Sequence, residues 1–289
     1  MEVLPILNYA LNGLLLGGVF ALTALGMSII AGIMRVINLA HGDVAVFAAY
    51  LALIVSTFLK VDPLLSLVVV APLLYVLGYF IQKFLVNKLI FERFYFTALM
   101  TFSLSIILQN LMLLLFTADA RSLITPYLLT NIDFFGLTPP PRFLIGFAFS
   151  FAAFIILYVF LKKTYIGKVI RAVPADIEGA KMLGIKSEDI YCIAAGLAYL
   201  SLAIAGVLLG MAFVFFPDSG PTYLLLSFGI LVLGGWGSIR GTFVGGLIFG
   251  LAMSFGGLFF GSRFQLVFCY LIILIVLIIR PRGIFGGKI

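Results

Sequence analysis

Charged side chains are scarce in this sequence, and that scarcity excludes most classes of soluble protein. Only 10% of the 289 residues are charged and 64% are hydrophobic, whereas a soluble domain is typically about 25% charged. Several stretches run for about 20 residues without a charge, which is the length that crosses a bilayer. The composition therefore predicts an all-α, polytopic membrane protein.

Histidine and cysteine are nearly absent. His41 is the single histidine, and the two cysteines, Cys192 and Cys269, both lie in apolar stretches. One histidine cannot form a His-based metal cluster, and cysteines in such stretches usually behave as small buried hydrophobic residues. We therefore expect neither a metal site nor a disulfide framework.

The motifs of the common hydrolytic and nucleotide-binding sites are also missing. The chain contains no G-x-S-x-G, no H-E-x-x-H and no phosphate-binding G-x4-G-K sequence. His41 and Asp43 are two positions apart, so they do not share a helix face and are not expected to form a catalytic pair. We expect that the chain is not an enzyme, has no ATPase site and binds no cofactor.

Basic residues are concentrated in three polar segments, which explains the net charge of +7. The segments are Lys83–Arg93, Lys162–Lys186 and Arg280–Lys288. Cytoplasmic loops of membrane proteins carry an excess of Lys and Arg, so all three are predicted to be cytoplasmic, and nucleic acid is not expected as a partner. We expect no cleavable signal, because the first apolar run is too long for one.

The apolar stretches predict a single transmembrane helical bundle over residues 1–289. They are Leu4–Met34, Val44–Leu59, Leu64–Gln82, Phe94–Ala118, Phe143–Leu161, Ile190–Pro217, Tyr223–Leu233, Phe243–Phe260 and Phe264–Ile279. We count about nine spans, within a range of about eight to ten. With the basic segments inside, the N-terminus lies outside, and residues 119–142 form an extracytoplasmic loop.

Polar or glycine-rich residues interrupt the apolar pattern once in each half, at Arg35–Asp43 and at Gly234–Gly241. Such backbone within a membrane lines a cavity or is buried in protein, so it predicts broken or re-entrant helices and a transport path. The candidate path residues are Asn38, His41, Gly42, Asp43, Gly234, Gly235, Gly237, Ser238 and Arg240.

Other interpretations of the two interruptions remain open. Superposing them as a repeat places His41 on Arg240, but the span count gives both the same orientation, which does not suit an inverted repeat. Arg35 and Arg240 have the alternative of being interfacial charges, and Asn38 that of capping a helix.

The segment 162–189 is predicted to contain a short cytoplasmic helix. Pro174 suits its first position, Asp176 and Glu178 suit its positive N-terminal end, and Gly184 suits a left-handed ending. Ser187 is then predicted to cap the next helix.

Four segments resemble the inner-membrane permease of branched-chain amino acid ABC importers. Val36–Asp43 resembles the family's Asn-Leu-Ala-His-Gly signature, and Arg171–Ile185 resembles its cytoplasmic coupling loop. Leu231–Gly241 and Arg280–Gly286 resemble its late glycine-rich segment and its basic C-terminus. One departure is Gly179, where the coupling motif usually has alanine.

The resemblance implies the chain's partners and its place in an importer. The implied partners are two cytoplasmic ATPase subunits, which hold ATP and Mg, a second related permease, an extracytoplasmic binding protein and the lipid of the inner membrane. The residues implied in ATPase coupling are Arg171, Asp176, Glu178, Gly179, Ala180, Lys181 and Gly184. The implied cargo is a branched-chain or related amino acid. Urea, amides or aromatic acids are alternatives, and a secondary transporter is a more distant one.

Overall fold

A computed structural model describes residues 3–34, 36–89, 94–125, 127, 130, 133 and 136–286. Arg35, Arg93, Pro126 and Lys288 of the predicted segments therefore lie outside the described residues. The helices are α1 Val3–Met34, α2 His41–Leu59, α3 Leu67–Ile81, α4 Phe94–Phe116, α5 Pro141–Lys163, α6 Tyr165–Ala172, α7 Ile177–Met182, α8 Ser187–Ala212, α9 Gly220–Gly234, α10 Ile239–Phe260 and α11 Gln265–Ile279.

Within the described ranges, eight helices are long and apolar enough to cross a membrane. They are α1, α2, α3 with its π-helical extension Gln82–Val86, α4, α5, α8, α10, and α11 with the turn before it. Helix α9 is also apolar but only 15 residues long. The prediction of an all-α, polytopic bundle is confirmed.

The bundle has two chemically different ends. At one end, which we call the basic end, Asn87 Nδ2 donates to the Glu188 carbonyl at 3.2 Å, and the tail's Phe285 N–H donates to the Gly234 carbonyl at 3.2 Å. At the opposite end, the Thr138 N–H donates to Asn8 Oδ1 at 2.9 Å. The N-terminal part of α1 therefore lies with the 119–142 segment, as predicted.

Helices α1 and α8 form the centre of the bundle and are buried along most of their length. Helix α1 packs against α5, α8, α9 and α10, and α8 packs against α1, α2 and α3. Glycines allow α1 and α10 to approach closely, because a Cβ at Gly13 would lie 2.9 Å from the Gly250 carbonyl oxygen. Helices α3, α4, α5 and α11 surround this centre and expose large apolar side chains, as lipid-facing helices do.

Some predicted boundaries differ from the observed ones. The sixth span was expected to reach Pro217, but α8 ends at Ala212 and an irregular segment, residues 213–219, follows it. Lys162 and Lys163 were assigned to the central loop, yet they form the last turn of α5. Long basic side chains extend toward water from a helix end, so this turn remains compatible with the membrane surface.

Both halves contain a helix that begins inside the bundle. The chain leaves α1 at Met34 and turns back, so that α2 begins at His41 beside Thr23, about 16 Å of helix before the end of α1. Likewise, residues 213–219 turn back after α8, and α9 begins at Gly220 against Gly42. The pair α1 and α2 and the pair α8 and α9 therefore run in opposite directions and meet where α2 and α9 begin.

This arrangement corrects the predicted repeat. The partner of the first interruption is residues 213–219, whereas Gly235–Ser238 forms a short turn between α9 and α10 at the basic end. The expected orientation conflict disappears, because α2 leads toward the opposite end and α9 toward the basic end. The sequence Pro217-Asp-Ser-Gly-Pro221 had the composition of a surface turn, which concealed its position inside the bundle.

Candidate functional site

The beginnings of α2 and α9 touch through backbone atoms. A Cβ at Gly42 would overlap the Gly220 carbonyl oxygen, and a Cβ at Gly220 would overlap an Asp43 carboxylate oxygen. Only glycine leaves room for this contact, because both obstacles are close and one of them is backbone. We call this contact the α2–α9 junction.

Asp43 links the junction to α4. Its carboxylate accepts hydrogen bonds from Ser105 Oγ at 2.5 Å and from Gln109 Nε2 at 2.8 Å, and the side chain is buried. It also lies in the first turn of α2 and against the first residue of α9, where helix N-termini carry partial positive charge. Asp43 is therefore a buried, hydrogen-bonded anion that joins three helices.

His41 is enclosed between α1 and α8. Its Nε2 lies 2.9 Å from the Thr23 carbonyl oxygen, and the side chain is completely buried. A Cβ at Gly26 would lie 3.2 Å from the imidazole Cε1 and 2.7 Å from Ser201 Oγ, so a glycine is needed for the ring to fit. Since Nε2 donates to a carbonyl, the imidazole is the neutral Nε2–H tautomer. Its Nδ1 has no hydrogen-bond partner among the described residues.

Asn38 stabilises the turn that leads into α2. Its Oδ1 accepts from the Ala40 N–H at 3.0 Å, its backbone carbonyl accepts from the His41 N–H at 3.2 Å, and its Nδ2 lies 3.5 Å from Tyr199 Oη. The residue before α2 is Ala40, which offers no side-chain cap. Asn38 therefore closes the preceding turn instead of capping the helix itself.

The second group of predicted path residues lies elsewhere. Gly235 and Gly237 have positive φ values of 103° and 70° in the turn after α9, and a Cβ at Gly237 would lie 3.0 Å from the Gly32 Cα. Gly32 is about 14 Å along α1 from Thr23. The structure therefore separates this group from the α2–α9 junction and places it at the basic end.

Gly234, Ser238 and Arg240 have local structural partners. The Gly234 carbonyl accepts from the tail, and Ser238 Oγ caps α10 by accepting from the Gly241 N–H at 3.1 Å. Arg240 Nε donates to Tyr158 Oη at 2.7 Å. This geometry favours the alternative that Arg240 is an interfacial charge.

The 162–189 segment contains two helices instead of the single helix predicted. Helix α6 begins after Thr164, whose Oγ1 accepts from the Gly167 N–H at 3.0 Å, and Arg171 Nε donates to the Leu161 carbonyl at 3.0 Å. Pro174 therefore lies in a turn between helices and is not the first residue of one. The sequence alone did not reveal α6, because its few apolar positions are embedded in a basic run.

Helix α7 is built largely as predicted. Asp176 caps it by accepting from the Gly179 N–H at 2.8 Å, Glu178 lies in its first turn, and Gly184 follows it with φ +77°. A Cβ at Gly179 would overlap the Asp176 carboxylate, so glycine suits this cap. One detail was wrong: Ser187 is the first residue of α8, and the residue before it, Lys186, provides no side-chain cap.

The tip of the α7 segment exposes apolar side chains. Met182 is 87% exposed and Leu183 is 79% exposed, while Ala180 faces inward and is buried. Lys181 belongs to the same short helix. Large apolar side chains at the polar end of a membrane protein usually mark a contact with another protein.

The sequence did not identify the partners of the predicted residues. Ser105, Gln109, Tyr199 and Gly220 approach Asn38, Gly42 and Asp43 only after folding. A signal existed for two of them, because Ser105 and Gln109 are four positions apart in an otherwise apolar span and therefore share a helix face.

Comparisons with known proteins agree on one family. A family model described as "Branched-chain amino acid transport system / permease component" matches residues 9–277. The chain is 31% identical over 300 residues to the high-affinity branched-chain amino acid transport system permease protein BraD of Pseudomonas aeruginosa, covering 99% of this chain and 97% of that protein. It is 27% identical over 303 residues to the permease protein LivH of Escherichia coli strain K12, with the same coverage of each chain.

A solved structure has a similar fold. PsaBC from Streptococcus pneumoniae, in complex with a Fab, matches with a TM-score of 0.54, covering 95% of this chain and 92% of that one. The sequence identity is 13%, so this likeness concerns the fold alone.

Proposed function

Because the chain belongs to the branched-chain amino acid transport permease family, we propose that it is the membrane subunit of an ATP-driven importer. It spans the inner membrane several times and has relatives that are transport permeases. Its proposed cargo is a branched-chain or related small amino acid, following the printed names of the relatives. The proposed complex contains two ATPase subunits, a second permease and an extracytoplasmic binding protein.

The coupling proposal rests mainly on one observation, the exposed Met182 and Leu183 at the tip of α7. Two neighbouring apolar side chains of this size lose favourable free energy in water, and a groove on an ATPase subunit would bury them. Asp176 and Gly184 fix the start and the end of α7, so the tip is held in a defined shape. Glu178 and Lys181 then provide charged contacts beside the apolar tip.

We propose that the α2–α9 junction is the pivot of the transport cycle. Two short helices that begin inside the bundle and point to opposite ends are able to rock about their common contact. Asn38, His41 and Gly42 shape this pivot, and Asp43 carries its movement to α4. Gly234, Gly235 and Gly237 form the hinge by which α9 joins α10 at the basic end.

ATP and Mg are assigned to the partner subunits, and the chain itself is proposed to have no catalytic role. A secondary transporter driven by protons would use an acidic group that water and cargo reach. Asp43 was the candidate for such a group, but its buried position and its bonds to Ser105 and Gln109 support a positioning role instead.

The test is a double substitution, Met182→Glu with Leu183→Glu, in the complete transporter. We expect loss of ATPase subunits on purification and loss of ATP-driven uptake, while the permease keeps its thermal stability. The matched control is Phe58→Glu, which changes a side chain that is 83% exposed at the opposite end of the bundle. It is expected to leave ATPase recovery unchanged. Normal ATPase recovery by the double variant would contradict the coupling proposal.

A further inference from the structure

Three basic side chains lie close together around Tyr158 at the basic end of α5. Arg240 donates to the tyrosine oxygen, and its guanidinium carbon is 5.3 Å from the ring centroid. Lys162 Nζ is 5.7 Å from the same centroid. Arg171 binds the carbonyls of Leu161 and Lys162 at the end of α5. We call Tyr158, Lys162, Arg171 and Arg240 the Tyr158 cluster.

The cluster borders an open cleft between α1, α5, α6, the start of α10 and the tail. Its deeper part contains about 1620 Å³ of empty space and its outer part about 760 Å³. Arg171 and Ser238 line both parts. The side chains inside include Ile33, Leu161 and Ile170, so a basic rim adjoins an apolar wall.

The positive charge of the cleft is not balanced by nearby acids. Within the described part of the chain, neither part of the cleft is lined by Asp or Glu. The ion pair found there, Arg121 with Asp119, is at the opposite end of the bundle. The first turn of α10, capped by Ser238, adds N–H groups and the positive end of a 22-residue helix. Each of these features attracts an anion with several acceptor oxygens.

The position of the cleft identifies the source of that anion. One turn before Tyr158, α5 exposes Ile155 and Ile156, which are lipid-facing side chains. Tyr158 and Trp236 are aromatic residues of the kind that concentrate at headgroup level. Basic pockets between transmembrane helices on the cytoplasmic side typically bind anionic lipid headgroups.

We propose that this cleft binds the phosphate headgroup of an anionic phospholipid. Lys162 and Arg240 contact the phosphate oxygens, and the start of α10 orients them. An acyl chain of the same lipid lies along the apolar wall. Bound there, the lipid joins α5, α6 and α10 at the base of the loop that carries α7.

The experiment measures lipid retention by native mass spectrometry. The full-length chain in detergent is mixed with phosphatidylglycerol or with phosphatidylcholine, and bound lipids are counted. We expect the wild-type chain to retain phosphatidylglycerol preferentially. Lys162→Gln and Arg240→Gln should each weaken this retention about fivefold, and together about 25-fold, since each basic residue near an anionic surface contributes about that factor.

Lys163→Gln is the matched control, because it removes the same charge from the next position of α5 without changing the cleft lining. It should retain the lipid as the wild type does. If the double variant does not fold, the two single variants provide the comparison. An equal loss in the control, or no lipid preference in the wild type, would overturn the proposal.

Two further outcomes would also overturn it. Displacement of the lipid by inorganic phosphate alone would identify a free anion as the ligand. A double variant that keeps its phosphatidylglycerol but loses ATPase subunits on purification would identify the cluster as a protein contact.

Discussion

Gly42 and Gly220 are in backbone contact inside the bundle, although 178 positions separate them in the sequence. Each is among the first residues of a helix, and the two helices lead to opposite ends of the protein. The contact therefore fixes the position of α2 relative to α9, and any added side chain must displace one of them.

Gly42→Ala is expected to destabilise the chain and to impair uptake. The new methyl group overlaps the Gly220 carbonyl, which is backbone and cannot turn aside, so the cost should be about 1–3 kcal/mol. Thermal unfolding in detergent measures it. Gly146→Ala is the control, because its methyl group meets only a Val19 side chain, at 3.0 Å. Equal stability of the two variants would contradict the tight contact.

Asp43→Asn should loosen α4 from the junction. The amide keeps one acceptor oxygen but turns an N–H group toward Ser105 or Gln109, so one charge-assisted hydrogen bond, about 1.5–3 kcal/mol, is lost. Unfolding of Asp43→Asn, Ser105→Ala and the double variant should give less than additive losses. The exposed Asp218→Asn serves as the control for removing a carboxylate charge, and additive losses would mean that the two residues act separately.

Gly179→Ala is expected to change the stability of α7 very little. Alanine favours a helix by up to about 1 kcal/mol over glycine, but its methyl group displaces the Asp176 cap, which contributes about as much. Asp176→Ala should therefore cost about 1 kcal/mol in the natural chain and less beside Ala at position 179. Amide hydrogen exchange in α7 measures all three variants. An undiminished effect of Asp176→Ala would show that the methyl group and the cap coexist.

Gly237→Ala should be more harmful than Gly184→Ala. Both glycines have left-handed φ values, which cost a residue with a Cβ about 1–2 kcal/mol. Only Gly237 also lies against backbone, since its Cβ would be 3.0 Å from the Gly32 Cα, whereas nothing lies within 4 Å at Gly184. Unfolding temperatures of the two variants test this difference, and identical values would contradict it.

The sequence predicted those features that depend on local composition. Charge-free stretches marked the spans, basic segments marked one end, and Asp176 and Gly184 marked the limits of α7. Each of these signals depends on neighbouring residues: the length of an apolar run, a capping side chain or a glycine with positive φ.

The sequence did not reveal contacts between distant segments. Gly220 was assigned to a surface turn because Pro, Asp, Ser and Gly favour turns wherever they lie. Its place against Gly42 depends on how α1 and α8 pack, which composition does not encode. For the same reason Gly234–Gly241 was paired with the first interruption, although its glycines form a turn at the basic end.

The most direct test of the account is a gentle detergent purification of this chain from its native membrane, with mass spectrometry of its companions and uptake measured after reconstitution. We expect two ATPase subunits and a second permease, with uptake that requires ATP. Recovery of the chain alone, in a form that transports without ATP, would contradict the coupling role of the α7 tip and the assignment as an importer subunit.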